Sequence, residues 1–277
     1  MDSFHNSLFE VSAWASIFHH QLTEQEIYHN FRSKITLHDL QNLIDNSNEY
    51  YREDEYIFSK KFPKNINFQK WKNNANKILE SSKEVLAILS SCNCITGLAI
   101  TGSVAAGVAK DDGDLDILII TKKNWVWRAR SLAIFLSHRH ESGSYLCPNM
   151  VIDESSLEMK NSIYVARELM QMIPIKDSGG LTKLFSQNKW VYKELPNSKI
   201  KNKLLVFGKI VYPWWWFVMK SPFIGRFIEL WESNRRIKEL KYRSKSSETF
   251  YTKSICRGHE NEHMKRIEKK YSSIMGD

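Results

Sequence analysis

The sequence predicts an α+β fold in three parts: a helical unit closed by a hairpin (residues 1–64), a mixed sheet with flanking helices (65–190), and a helical basic remainder (191–277). Three observations carry this. Two short apolar runs, ITGLAIT and DLDILIIT, have the pattern of strands buried on both faces. Segments of helical periodicity alternate with them, so helices cover the sheet. Charge is split along the chain: residues 1–200 hold 23 Lys and Arg against 23 Asp and Glu, whereas residues 201–277 hold 17 against 8.

In the first part, residues 9–19 are amphipathic, and LTEQEIYHNF opens with the capping box Thr23-x-x-Glu26. TLHDLQNLIDNS starts with Thr36 capping toward Asp39, and EYYREDEYIFSKKF reads as two strands around Glu53-Asp54. Helix, helix, helix, hairpin is the order of a winged helix. DNA reading is nevertheless not expected of it. Residues 1–64 hold six basic and ten acidic residues, and the third helix has no Lys or Arg, whereas phosphate contacts supply most non-specific affinity for duplex DNA.

Pro63-Lys64 reads as a linker. A long helix follows over FQKWKNNANKILESSKEVLAILSS, then the strand ITGLAIT, a Gly-Ser turn, and the strand DLDILIIT. WVWRARSLAIFLSHR is helical in pattern, YLCPNMVID extended, and SIYVARELMQMIPI helical until Pro174. From Trp190 the pattern is helical and aromatic, with a polar break near residues 244–252.

Four scattered cysteines without a CxxC pair support neither a disulfide framework nor a zinc ribbon. The first residues lack the basic and apolar regions of a secretory leader, and the apolar stretch 204–228 is broken by Lys209, Pro213, Lys220, Pro222 and Arg226. A cytoplasmic protein is the expectation.

The chemistry concentrates in TGSVAAGVAKDDGDLDILII. Val108 stands where a P-loop needs lysine, and a calcium loop starting at Asp112 would meet Ile117 and Lys123 where it needs Gly and Glu. What fits is strand, Gly-Ser turn, helix, then Asp-x-Asp on the next strand. Residues two apart on a strand share a face, so Asp114 and Asp116 aim together. Paired carboxylates beside ILII repel unless a cation lies between them, and hard oxygen donors suit Mg²⁺ or Mn²⁺. Gly102 lets a phosphate approach the backbone, and Ser103 offers hydroxyl and amide. Asp111 and Asp112 read as a solvated turn.

These residues resemble the nucleotidyltransferase superfamily that includes DNA polymerase beta and the minimal nucleotidyltransferases. Gly102-Ser103, a spacer of ten, and Asp114-Leu115-Asp116 carry the likeness. LTEQEI, WVWRAR, YLCPNMVID, YVARELMQMIPI and NKWVYKELPN extend it to a largely uncharacterised prokaryotic group with a nucleotidyltransferase domain. The resemblance implies a polymerase-beta-like core that binds ATP or another NTP and transfers its nucleoside monophosphate to an acceptor by a two-metal mechanism with pyrophosphate release. It makes Asp114 and Asp116 metal ligands and Gly102 and Ser103 the triphosphate grip. The third carboxylate does not carry over cleanly. On YLCPNMVID, Cys147, Asn149, Val151 and Asp153 share a face, so Asn149 or Asp153 could address the metals, the central position favouring Asn149. Lys122 or Lys123 and Arg130 are candidate phosphate contacts.

The acceptor is open between a small molecule, a protein hydroxyl and an RNA end. The alternative is a degenerate module that binds nucleotide or docks a partner without catalysis. HENEH, His259 to His263, spells HExxH, but its intervening residues are polar and it reads as a solvated helix start. The aromatic YPWWWFVMKSPF beside the basic tail suggests membrane-surface contact, the less favoured reading against burial in the core.

Overall fold

A computed structural model describes residues 2–244, 246–258 and 262–276. In chain order it contains α1 (Asp2–Ile17), β1 (Leu22–Thr23), α2 (Glu24–Asn30), α3 (Leu37–Asp45), β2 (Tyr50–Glu53) and β3 (Tyr56–Ser59). Both predicted N-terminal caps are present: Thr23 and Glu26 form a reciprocal capping box on α2, and the Asp39 amide donates to Thr36 at the start of α3. The three strands form an antiparallel sheet in the order β1-β3-β2, turning at Asp54 with φ 52°. Leu8, Phe31, Leu40 and Ile44 fill its core.

Next come α4 (Phe68–Ser81), α5 (Lys83–Ser90), β4 (Ile95–Ile100), α6 (Gly102–Ala105), β5 (Leu115–Thr121), α7 (Val126–Arg139), β6 (Leu146–Asp153), α8 (Ile163–Gln171) and β7 (Ile173–Asp177). The expected long helix is two helices. Ser82, at φ −98° and ψ 0°, separates amphipathic α4 from α5, whose residues 85–89 are wholly buried. Ser81-Ser82 is a weak helix-forming pair, which allows the break.

The chain closes with α9 (Gly180–Gln187), α10 (Val191–Glu194), α11 (Trp214–Met219), α12 (Ile224–Arg243), β8 (Phe250–Tyr251), β9 (Ile255–Arg257) and α13 (His263–Met275). The second sheet has six strands in the order β7-β4-β5-β6-β9-β8. It is mixed: β5 and β6 run parallel and the other neighbours antiparallel. Two elements depart from the sequence pattern. Pro174 lies inside a strand, at the sheet edge where the missing N–H costs least. The expected helical remainder also supplies the hairpin β8–β9, which pairs with β6 and completes the sheet.

Each face of this sheet has its own core. Leu115, Ile117, Ile119 and Val151 pack under α5, α7 and Trp216, while Leu118, Ile120 and Ile152 pack under α8 and α9. The N-terminal unit is tied to the rest by Asn197, which accepts from the Ile35 amide and donates to the Phe31 and Ser33 carbonyls.

Candidate metal and phosphate site

β4 and β5 are adjacent antiparallel strands, and their register places the turn after β4 against the start of β5. The Thr101 amide donates to the Asp116 carbonyl at 2.9 Å. The chain then turns at Gly102 with φ 65°, where an added Cβ would lie 2.5 Å from Asp116 Oδ2. Glycine is required twice here, by the left-handed backbone and by the carboxylate resting on it. Ser103 is exposed on α6, the expected helix, which is a single turn.

Asp114 and Asp116 share strand parity with Leu118 and Ile120, so both address the α8–α9 face. Asp114 is exposed and Asp116 half-buried; with Cys147 their ligand atoms lie within 4.8 Å of one another. Burial, then the charges of Asp114 and Glu168, push the Asp116 carboxyl up to about 7. Burial beside the same two aspartates raises the Cys147 thiol, which lies within hydrogen-bonding reach of both.

The β5–β6 register resolves what the alternation of YLCPNMVID left open. Asp116 opposes Cys147 but Leu118 opposes Met150, so β6 carries one extra residue between these pairs. Such a bulge shifts the facing of every later side chain by one. Cys147 and Asn149 therefore both come within hydrogen-bonding reach of the Asp116 carboxylate. Asp153 does not. It opposes Thr121 at the far end of β5, on the other face, and is buried accepting from the Ser155 amide and hydroxyl.

Lys122, Lys123 and Arg130 are also separated from the carboxylates. Lys122 and Lys123 follow the far end of β5, roughly 20 Å along the strand from Asp116 at about 3.3 Å per residue. The Lys122 amide donates to the Cys94 carbonyl, and Arg130 lies beside Cys256 on β9. Asp111 pairs with Lys70 at 2.5 Å, and Asp112 is exposed, as the solvated-turn reading expected.

Two groups at the site come from segments without a motif. Glu168 of α8 lies within hydrogen-bonding reach of the Gly102 amide, and burial pushes it up to about 7. A charged pair, Arg167-Glu168, inside the largely apolar IYVARELM is the signal that could have revealed it. Lys201 donates to the Ala105 carbonyl at 2.7 Å, which brings a cation beside the Gly-Ser turn. Of HENEH, residues 259–261 lie outside the described residues, and His263 Nδ1 is 3.1 Å from the Tyr164 hydroxyl.

Comparison with family models, curated proteins and solved structures returns no match. The donor set itself is therefore what tests a metal. Two carboxylates on one face, one pushed toward neutrality by burial and then by its neighbour, fit a hard divalent cation. The Cys147 sulfur, softer than either, favours Mn²⁺ over Mg²⁺ to the extent that it joins the donors. Gly102→Ala should weaken Mn²⁺ binding tenfold or more and lower stability by about 1–3 kcal/mol. Calorimetric titration and urea denaturation would check both, and unchanged Mn²⁺ affinity would show that the turn does not support the carboxylates.

Proposed function

We propose that this chain is a metal-dependent nucleotidyltransferase that moves a nucleoside monophosphate from an NTP to an acceptor, with release of pyrophosphate. The observation that carries the reading is the packing of the Gly102 backbone on Asp116, beside Asp114 and Cys147. It supports the reading because a backbone that a phosphate could approach lies directly against one of a pair of carboxylates. When bound, divalent cations would neutralise the triphosphate and the charge developing on the leaving pyrophosphate.

In this reading Asp114 and Asp116 hold the cation. Gly102 and Ser103 orient the triphosphate through backbone and hydroxyl, and Lys201 adds a positive charge beside them. Glu168 is a positioning residue that steadies the turn at the Gly102 amide. The winged-helix-like unit serves packing or partner docking, in keeping with its net negative charge.

One observation favours a second reading. The β6 residues facing the pair are Cys147 and Asn149, where the resemblance leads one to expect a carboxylate. A degenerate module would bind nucleotide and metal without turnover.

The test incubates the full chain with each labelled NTP, Mg²⁺ or Mn²⁺, and cell extract, against the Asp114→Ala/Asp116→Ala variant. Metal-dependent label transfer that the variant loses is the expected result. Binding without transfer supports the degenerate module, and neither binding nor transfer rejects both readings.

A further inference from the structure

The amphipathicity of α12 is inverted over its first turns. Its buried positions are Gly225, Glu229, Glu232 and Ser233, while Phe223, just before it, and Phe227 and Trp231 within it are 85%, 70% and 56% exposed. These three recur every four residues, the spacing of a helix face meant for burial. Trp214 and Phe217 of α11 are also exposed, at 78% and 65%. α11 buries Trp216 in the core and the first turns of α12 turn their polar side inward, so that Trp214, Phe217, Phe223, Phe227 and Trp231 are left on the outside of this helical pair.

The inward side of α12 is held by α7. Glu229 accepts from the Trp127 and Arg128 amides at the start of α7, and Arg128 donates to the Met219 carbonyl at the end of α11. The start of α12 is therefore seated on α7 by polar contacts and α11 by Trp216 and Trp215, while the exposed aromatics of both helices face away from the core.

The segment that leads into this face carries charge of one sign. Residues 195–228 contain six Lys and Arg and no Asp or Glu. Lys209, Lys220 and Arg226 are exposed, and Lys220 Nζ lies 4.6 Å from the Tyr212 ring and 5.7 Å from that of Phe217. Aromatics and cations side by side, with Glu229 and Glu232 of α12 buried, match the boundary between acyl chains and anionic headgroups. No described helix is long and apolar enough to cross a membrane, so insertion would be shallow. The preceding residues 198–213 carry neither helix nor strand and run along the protein, with the Leu204 amide donating to the Pro174 carbonyl and Leu204, Val206 and Tyr212 packed on the core.

We infer that the α11–α12 hairpin is a peripheral membrane-docking surface that seats its aromatic side in an anionic lipid bilayer. Flotation of the full chain with vesicles of phosphatidylcholine, with and without phosphatidylglycerol, tests this. The protein should float with the anionic vesicles and be released by high salt. Phe223→Ser/Phe227→Ser should weaken partition at least tenfold, and Lys209→Ala/Lys220→Ala/Arg226→Ala on the order of 100-fold. These positions are exposed, so the variants should keep the wild-type unfolding transition. Equal partition onto neutral vesicles overturns the assignment, as does unchanged partition of either variant. So does a dimer in solution that the Phe substitutions dissociate while neither vesicle binds, because the face is then covered by a second copy.

Discussion

Asp116→Asn should stabilise the metal-free protein above neutral pH while removing metal-dependent transfer. In the folded chain burial, then Asp114 and Glu168, push the Asp116 carboxyl from 3.8 to about 7. A raised folded value means that the native state holds its proton where the unfolded state has lost it. The associated stability is fully present below about pH 4 and is lost as pH rises through 7. Asparagine avoids that loss, so in EDTA at pH 8 the variant should be more stable by about 1–3 kcal/mol, allowing for partial solvent access. Excess Mn²⁺ should reverse the order, because the cation stabilises the wild type by binding its native state and has lost a ligand in the variant. Transfer should fall on the order of 1,000-fold or more. Urea denaturation of both proteins, with EDTA and with Mn²⁺ at pH 5 and pH 8, would check the inversion. A variant less stable under every condition would mean that Asp116 serves the fold and not a cation.

The largest loss of stability is expected at Glu229. Its carboxylate lies 3.0 Å from the Trp127 amide, 2.9 Å from the Arg128 amide and 3.4 Å from Arg128 Nε, and it is buried. One side chain thus caps α7 and neutralises a buried guanidinium. Glu229→Ala strands two helix amides and a buried cation, at a cost of about 3–5 kcal/mol. Adding Arg128→Met removes the stranded charge and should recover part of the loss, leaving the amides uncapped. Urea denaturation of the single and double variants would measure the difference. If the double variant were no better than Glu229→Ala, the ion pair would not be the source of the cost.

Local rules carried the sequence reading furthest where a single segment decides the outcome. The Thr23–Glu26 box, the Thr36 cap and the strands over ITGLAIT and DLDILIIT depend on residues close in sequence, and they form as their patterns predict. The facing of Asp114 with Asp116 follows from the same strand alternation. Elements that need a distant partner were less legible. β9 has three residues and is a strand through its pairing with β6, and β7 is one through its pairing with β4, despite Pro174.

At the site, the bulge in β6 was the hidden variable. Alternation alone grouped Asn149 with Asp153, and one inserted residue sends them to opposite faces. Lys122 and Arg130 fell out for a simpler reason: proximity to the motif in sequence becomes distance when a strand runs straight. Glu168 and Lys201 are brought in by tertiary packing, which leaves little trace in a local pattern. Over the first turns of α12 the ordinary meaning of an apolar stripe is inverted, since Phe227 and Trp231 mark the outside, whereas Ile237 and Leu240 farther along pack on the core.

The β6–β9 pairing also bears on how the chain is made. β6 ends at Asp153, but the strand that covers its outer edge begins at Ile255. Through the whole interval of synthesis between these residues, the nascent sheet offers a bare row of amides and carbonyls to any other extended chain. Ribosome pausing or premature termination before Ile255 would release exactly such an unfinished template, and aggregation would be the natural fate of the product.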